Sequence, residues 1–263
     1  MKETEINKIA WGLLSKDHYE HFKKEFLNGN HQLSCIIERE LGDITGKSVI
    51  HLQCNTGADS ILLAQKGAYV TGVDIVSDNV FYAKKLSHEL GIKNIEFIES
   101  DLMDFMEKHT KKYDIVYTTE GVLCWLPNLN KWAETVKHLL KDNGILYLLD
   151  SHPFYFTFDE EKLCNDILEV KYPYFVRETE YGETIGGYAA ERRNAKTCEW
   201  MYKISDIINP LAKEGLTIEF FNEHDTLFFN LGGMECVSNG EYRFPFFEKK
   251  IPFTFSLKAR LKK

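Results

Sequence analysis

Much is missing from this 263-residue chain. It has no apolar run approaching the roughly 20 residues a membrane helix needs, so no membrane partner is expected. Its start, Met1 to Lys8, carries Lys and Glu but no apolar signal-peptide core, so export is not expected either. Positive charge is in deficit: 32 Lys and Arg against 40 Asp and Glu give a net charge of −8. A duplex or a long RNA is a poor partner for such a chain, because phosphate binding draws on clustered positive charge. The basic cluster from Lys258 to Lys263 reads as a solvated chain end. Six cysteines, at 35, 54, 124, 164, 198 and 236, include no C-x-x-C pair. Their scatter points to reduced cytosolic thiols and a cytoplasmic protein, not to a disulfide framework or a zinc site. A three-glycine dinucleotide loop, a P-loop, internal repeats and flexible linkers are absent as well.

What is present is a core. Hydrophobic residues make up 44% of the chain and charged residues 27%, enough to bury a substantial interior. Between Lys47 and Asp150, short apolar runs recur at Val49–Leu52, Tyr69–Val73, Ile95–Ile98, Ile115–Tyr117 and Ile145–Leu149. Three of these are nearly continuous in apolar or aromatic residues, as strands covered on both faces of a parallel sheet are. Helical patterns lie between them. Across 128–142, Trp132, Ala133, Val136, Leu139 and Leu140 share one face, and Asn143-Gly144 supplies a left-handed stop. Across 77–90, Ser77 reads as a capping start and Gly91 as the end. Five alternations of strand and helix define a doubly wound α/β sheet with right-handed crossovers.

The flanks are different. Residues 1–46 look helical and aromatic, with Trp11, Tyr19, Phe22 and Phe26, and residues 151–203 read as an insertion without helix–strand alternation. A last helix, Ser205 to Glu214, is expected to kink at Pro210 or to carry it in its first turn, before a strand from Leu216 to Glu223. The alternation from Phe253 to Arg260 predicts an antiparallel strand with one wetter face. One domain is the economical division: N-terminal lid 1–46, core 47–150, substrate-cap insertion 151–203, and 204–263 completing the sheet.

Ligands of open parallel sheets bind beyond the carboxyl ends of the strands. The first strand-to-helix turn there is Gln53-Cys54-Asn55-Thr56-Gly57, which either admits a ligand to a helix N-terminus or is simply a turn. Asp74, ending the second strand, can accept both hydroxyls of a ribose or cap the next helix. Asp101 can accept from an adenine amino group or cap the 102–108 helix. Three adjacent turns of this kind favour a nucleoside ligand.

Ile50-His51-Leu52-Gln53-Cys54-Asn55-Thr56-Gly57 resembles motif I of class I S-adenosylmethionine-dependent methyltransferases, in a bacterial branch with H-L-Q-C in place of D-x-G-C-G. Val70-Thr71-Gly72-Val73-Asp74, Glu120-Gly121-Val122-Leu123-Cys124-Trp125-Leu126-Pro127 and Ile251-Pro252-Phe253-Thr254-Phe255-Ser256-Leu257 resemble later segments of that branch. The resemblance thus covers nearly the whole chain. His51 departs from the usual acid, and Gln53 and Asn55 replace glycines, which leaves the backbone there less free.

The resemblance implies a Rossmann-like sheet of order 3-2-1-4-5-7-6, its last strand antiparallel, and S-adenosyl-L-methionine as cofactor with S-adenosyl-L-homocysteine as product. It also implies residues 53–57 along the methionine part, Asp74 and Ile75 at the ribose, Asp101 and Leu102 around the adenine, and contributions from Glu120, Gly121 and Tyr19. Tyr19 and Trp11 either close over the cofactor or anchor their helices.

Methyl transfer from a sulfonium needs alignment and exclusion of water, with a base only for a protonated acceptor. Candidates at strand ends are Glu120, His152 and Glu223 with its neighbour His224, each alternatively bonded to its own loop. Phe154, Tyr155, Phe156, Tyr174, Phe175 and Tyr188 are expected to mix packing with pocket lining. Cys54 and Cys124 flank the site without a basic neighbour in sequence to mark either as a nucleophile. A small-molecule methyl acceptor is expected; a protein acceptor, a non-catalytic sensor and an NAD-dependent oxidoreductase are the alternatives.

Overall fold

Strands buried on both faces dominate the computed structural model, which describes residues 2–175, 179–186 and 189–262. Three helices come first: α1 (Glu3–Gly12), α2 (Ser15–Leu27) and α3 (Cys35–Leu41). The alternating core follows as β1 (Ser48–Leu52), α4 (Ala58–Gln65), β2 (Tyr69–Asp74), α5 (Ser77–Glu89) and β3 (Ile95–Glu99). It continues with α6 (Phe105–Lys108), β4 (Tyr113–Thr119), α7 (Leu129–Leu139) and β5 (Leu140–Ser151). Beyond it lie α8 (Glu160–Leu163), β6 (Glu180–Ile185), β7 (Arg193–Glu199), α9 (Ile204–Lys213), β8 (Leu216–His224), β9 (Glu235–Ser238), β10 (Glu241–Arg243) and β11 (Thr254–Leu261).

Seven strands form one sheet in the order β3-β2-β1-β4-β5-β11-β8. The first five run parallel, and β11 is antiparallel to both β5 and β8. This is the implied Rossmann-like order. The period of two along each strand sorts its side chains between two layers. Ile50, Leu52, Val116, Leu146 and Leu148 face α7 and α9, packing on Trp132, Val136, Leu139, Ile207 and Leu211. Val49, Val70, Ile115, Tyr147 and Leu149 face the other way, onto Ile37 and Leu41 of α3 and Leu62 and Leu63 of α4. Each fully buried aliphatic side chain contributes about 1.5–3 kcal/mol.

Several boundaries differ from the sequence reading. Helix α7, capped by Asn128 accepting from the Lys131 amide, ends at Leu139 because Leu140 pairs with Tyr113 of β4. Asn143 does adopt the left-handed conformation (φ 62°), but within the β5 segment. Ser77 is the first residue of α5, not its cap; the carboxylate of Asp74 takes the Val76 amide just ahead of it. Pro210 is buried inside α9, past its first turn. Strand β11 has no wetter face over its first half, since Thr254 and Ser256 are as buried as Phe255, and neighbouring strands cover both its edges. Lys258 and Arg260 are therefore strand residues paired with Glu219 of β8, not a solvated end.

Two hairpins were not legible in the sequence. In the first, β6 pairs with β7, and α1 lies against it. Asn7 of α1 serves as a strand edge there: its Nδ2 donates to the Cys198 carbonyl (2.6 Å) and its Oδ1 accepts the Cys198 amide (2.8 Å). In the second, β9 pairs with β10, and Asn239 at its tip donates to the carbonyls of Gln32 and Leu33. The N-terminal helices, the 151–203 segment and the 235–243 hairpin thereby join into one cap over the core.

Candidate active site

A cavity of about 720 Å³ opens at the carboxyl ends of β1 to β4, beneath the N-terminal helices. That volume is in the range of small-molecule sites, about 300–1,000 Å³. Gln53, Cys54, Asn55, Thr56, Asp74, Ile75, Asp101, Leu102, Glu120 and Gly121 all line it. The structure thus brings together ten of the cofactor residues expected from sequence. Gly57 and Tyr19 stand outside it.

The 53–57 turn is wound with glycine only at its end. Gln53 and Asn55 adopt φ of 58° and 50°, the left-handed conformation that glycine takes freely and asparagine tolerates. Each has a local anchor. Gln53 Nε2 donates to the Val122 carbonyl at 2.9 Å, and Asn55 Oδ1 accepts the Thr56 amide at 2.6 Å. Gly57 (φ 77°) serves packing: a Cβ there would come within 2.7 Å of the Phe97 ring and 3.0 Å of Ala83.

Asp74 closes the turn from below. Its carboxylate accepts the Asn55 amide (2.8 Å), the Val76 amide (2.9 Å) and Asn79 Nδ2 (3.2 Å). Burial raises its pKa, while those donors oppose the rise. Asp101 Oδ1 takes the Met103 amide at 2.8 Å while its side chain still borders the cavity. Both border the cavity and brace their own turns, but neither is the helix cap that the sequence offered: α6 begins only at Phe105 with Asp104 at its cap position, and Val76 holds that position for α5.

His51, where relatives of this motif carry an acid, is buried with Nδ1 2.8 Å from Ser60 Oγ. Burial pushes its pKa down to about 4, so the imidazole is neutral. Cys54 and Cys124 are held as thiols, since burial and nearby carboxylates raise both well above the usual range. Neither has the thiolate character of a nucleophile.

The three acid–base candidates separate. Glu120 is on the cavity wall, its φ of 66° fixed as its amide donates to the Leu149 carbonyl (2.8 Å). Its side chain is exposed toward the cavity. Burial, with the Asp59 and Asp150 carboxylates nearby, raises its pKa well above the carboxylate range. His152 and Glu223 lie outside the cavity lining. His152 Nδ1 takes the Phe154 amide (3.1 Å), its Nε2 is 3.1 Å from Glu223 Oε1, and its ring meets the edge of Phe255. His224 is 3.1 Å from Ser256 Oγ through its Nε2.

The aromatic lining comes from elsewhere than the 151–203 insertion, none of whose described residues borders the cavity. Tyr155 packs with Phe158, Phe244, Phe247 and Phe253, with Phe156 against them; Tyr174 accepts the Ile204 amide, and Phe154 and Phe175 are exposed. Tyr188 lies outside the described residues. Trp11, Phe22 and Trp125 line the cavity instead, with Phe228, Phe229 and Tyr242. Tyr19 stacks on Tyr82 and donates to Glu89 Oε2 at 2.7 Å, anchoring α2 to α5. His31 and Asp59, both in the lining, escaped sequence reasoning: His31 falls in a loop without a motif, and Asp59, two residues past the 53–57 turn, reads as an ordinary first-turn acid of a helix.

The parallel sheet with an antiparallel last strand, and a cavity across its carboxyl edge, define the Rossmann-like methyltransferase architecture. The chain belongs to the methyltransferase domain family, whose model matches residues 44–201. It is 32% identical over 116 residues to the ubiquinone biosynthesis O-methyltransferase of Glaesserella parasuis serovar 5 (strain SH0165), covering 43% of this chain and 48% of that protein. The chain thus spans about half the length of such relatives. Over its fold it is similar to the putative S-adenosylmethionine-dependent methyltransferase of Listeria monocytogenes, with TM-score 0.63, 18% identity, and 87% and 97% of the two chains covered. The magnesium protoporphyrin IX methyltransferase of Synechocystis PCC 6803, solved with bound SAH, is similar over 100% of both chains, with TM-score 0.55 and 19% identity.

Proposed function

We propose that this protein transfers a methyl group from S-adenosyl-L-methionine to a small molecule held in the same cavity. The observation that carries this reading is a pair of buried, unpartnered polar atoms in the lining, Gln53 Oε1 and Thr56 Oγ1. A buried polar atom without a partner is costly, and a ligand with an amino-acid end offers the donors and acceptors these two need. Asp74 then faces the ribose and Asp101 with Leu102 the adenine, on the same wall. The cofactor supplies a methyl group already activated on a sulfonium. The chain's own residues hold the two partners in line and exclude water, with Trp11 and Trp125 in edge contact (5.3 Å between ring centroids) at the cavity.

The net charge of −8 and the carboxylates Asp59, Asp74 and Glu120 in the lining support a small acceptor and not a nucleic acid. The six free cysteines support the cytoplasm as its compartment. Among the described residues no helix is long and apolar enough to cross a membrane. Isothermal calorimetry with S-adenosyl-L-homocysteine is the test. Saturable 1:1 binding without binding of NADH is expected. Folded protein that ignores S-adenosyl-L-homocysteine overturns the reading.

A further inference from the structure

The far side of the cavity holds an imidazole and a carboxylate that the cofactor does not claim. His31, in the loop between α2 and α3, has its ring between those of Phe22 and Phe26, with centroids 5.0 and 4.9 Å away. Its Nε2 is buried and 3.8 Å from Asp59 Oδ1, close enough for an ion pair once the ring is protonated. Asp59, in the first turn of α4, is itself aimed: its Oδ2 accepts from Tyr117 Oη (3.1 Å) and Thr119 Oγ1 (3.4 Å) at the end of β4. That leaves Oδ1 toward His31, and Nδ1 of His31 as the nitrogen available to a ligand. A base, a carboxylate behind it and hydroxyls orienting the carboxylate form a connected chain across three elements.

Of the other imidazoles, His51 is committed to Ser60 and His152 is outside the cavity lining. Around His31, the titratable groups are His21 and Glu25 from α2 and Asp59 from α4. Burial favours the neutral ring and Asp59 favours the protonated one, so the imidazole arrives unprotonated and is supported after it gains a proton.

We propose that His31, backed by Asp59 as a positioning residue, is the proton acceptor for a hydroxyl on an aromatic ring, bound against Phe22, Phe228 and Tyr242. This rests on the methyl-transfer reading above. The acceptor O–H proton passes to His31 Nδ1 as an oxygen lone pair bonds the methyl carbon. The carbon–sulfur bond breaks with its electrons on sulfur, leaving neutral S-adenosyl-L-homocysteine, and the imidazolium later returns its proton to water. An amine is the poorer acceptor here, because Asp59 and the acidic wall hold it as an ammonium with its lone pair masked. An aliphatic alcohol is too weak an acid for an imidazole, whereas a phenol narrows that gap.

The test uses 4-nitrophenol, coloured when ionised, added to protein saturated with S-adenosyl-L-homocysteine. Bound probe is expected to ionise about one pH unit or more below free probe. His31→Gln should return its titration to that of free probe while changing S-adenosyl-L-homocysteine affinity less than about twofold. In Asp59→Asn, which keeps His31, the titration of the bound probe should move part of the way back to that of free probe, which an Asp59 that does not act through His31 on the acceptor would not cause; this variant also carries the test if His31→Gln misfolds. Failure of 4-nitrophenol to bind the complex, or the same probe titration in wild type and His31→Gln, overturns the proposal alone. Absence of S-adenosyl-L-homocysteine binding overturns it together with the methyl-transfer reading.

Discussion

The two walls of the cavity are held by contacts of very different range. On the core wall, Asp74 bonds residues 19, 2 and 5 positions away, and Asp101 bonds one 2 positions away. On the cap, Asn7 bonds Cys198 across 191 positions and Asn239 reaches Leu33 across 206. A short closure costs little chain entropy, so the core wall forms with its own strand–turn–helix units. The cap contacts close loops of most of the chain's length. The wall assigned to the cofactor is therefore prepared locally, and the wall assigned to the acceptor is the part that long-range packing shapes.

The most damaging single change should fall on the core wall. Asp74→Ala removes a buried carboxylate with three donors, each such bond being worth about 1.5–3 kcal/mol. Loss of S-adenosyl-L-homocysteine affinity of about a hundredfold or more is expected, from the ribose contact and from the slackened 53–57 turn together. Because those donors lose their partner, the melting temperature should fall as well. Calorimetry and thermal melting read both, and intact affinity in a folded variant removes Asp74 from the cofactor wall.

That same range explains what the sequence disclosed. Alternating apolar runs and turn residues are local signals, so the five parallel strands, α5, α7 and the turns carrying Gln53–Gly57, Asp74 and Asp101 could be placed from them. The alternation at 253–260 also pointed to the antiparallel last strand, and the resemblance added its place in the strand order and the expected roles of Ile75, Leu102, Glu120 and Gly121. The hairpins could not be placed, because Asn7 closes on Cys198 and Asn239 on Leu33 through contacts that leave no periodic trace. For the same reason aromatic content misdirected attention to 151–203, whereas Phe228 and Tyr242, in segments without pattern, line the cavity. Tyr19 was an ambiguous aromatic whose contact with Tyr82 decides for anchoring.

A second change tests whether the core wall is fixed by packing as well as by bonds. Gly57→Ala places a methyl group 2.7 Å from Phe97 on a backbone at φ 77°, which should cost about 2–4 kcal/mol from strain and overlap together. In a double variant with Phe97→Leu the overlap is relieved and the backbone strain is not, so stability should recover in part. A double-mutant cycle by thermal melting measures the coupling. Strict additivity of the two changes means that Phe97 does not set the need for glycine at 57.

The smallest expected effect is on the cap and depends on pH. Glu199 of β7 faces Glu180 across the hairpin register, and burial, then Glu180 and Glu160, raise its pKa to about 7. An unfolded glutamate ionises near 4.3, so between that pH and about 7 the folded chain keeps a proton that the unfolded chain has released. The stabilisation is full below the unfolded value and is lost as pH rises through the folded one. Wild type should therefore lose stability between pH 5 and pH 8, by of order 1 kcal/mol from this residue. Glu199→Gln has no such proton to lose, so its advantage over wild type should grow across that window. Asp150, raised to about 6 by burial on the core wall, titrates in the same window and leaves a residual slope in the variant. Melting curves at several pH values separate the two contributions. An undiminished slope in Glu199→Gln assigns the alkaline loss to the core wall and removes the cap from the pH response.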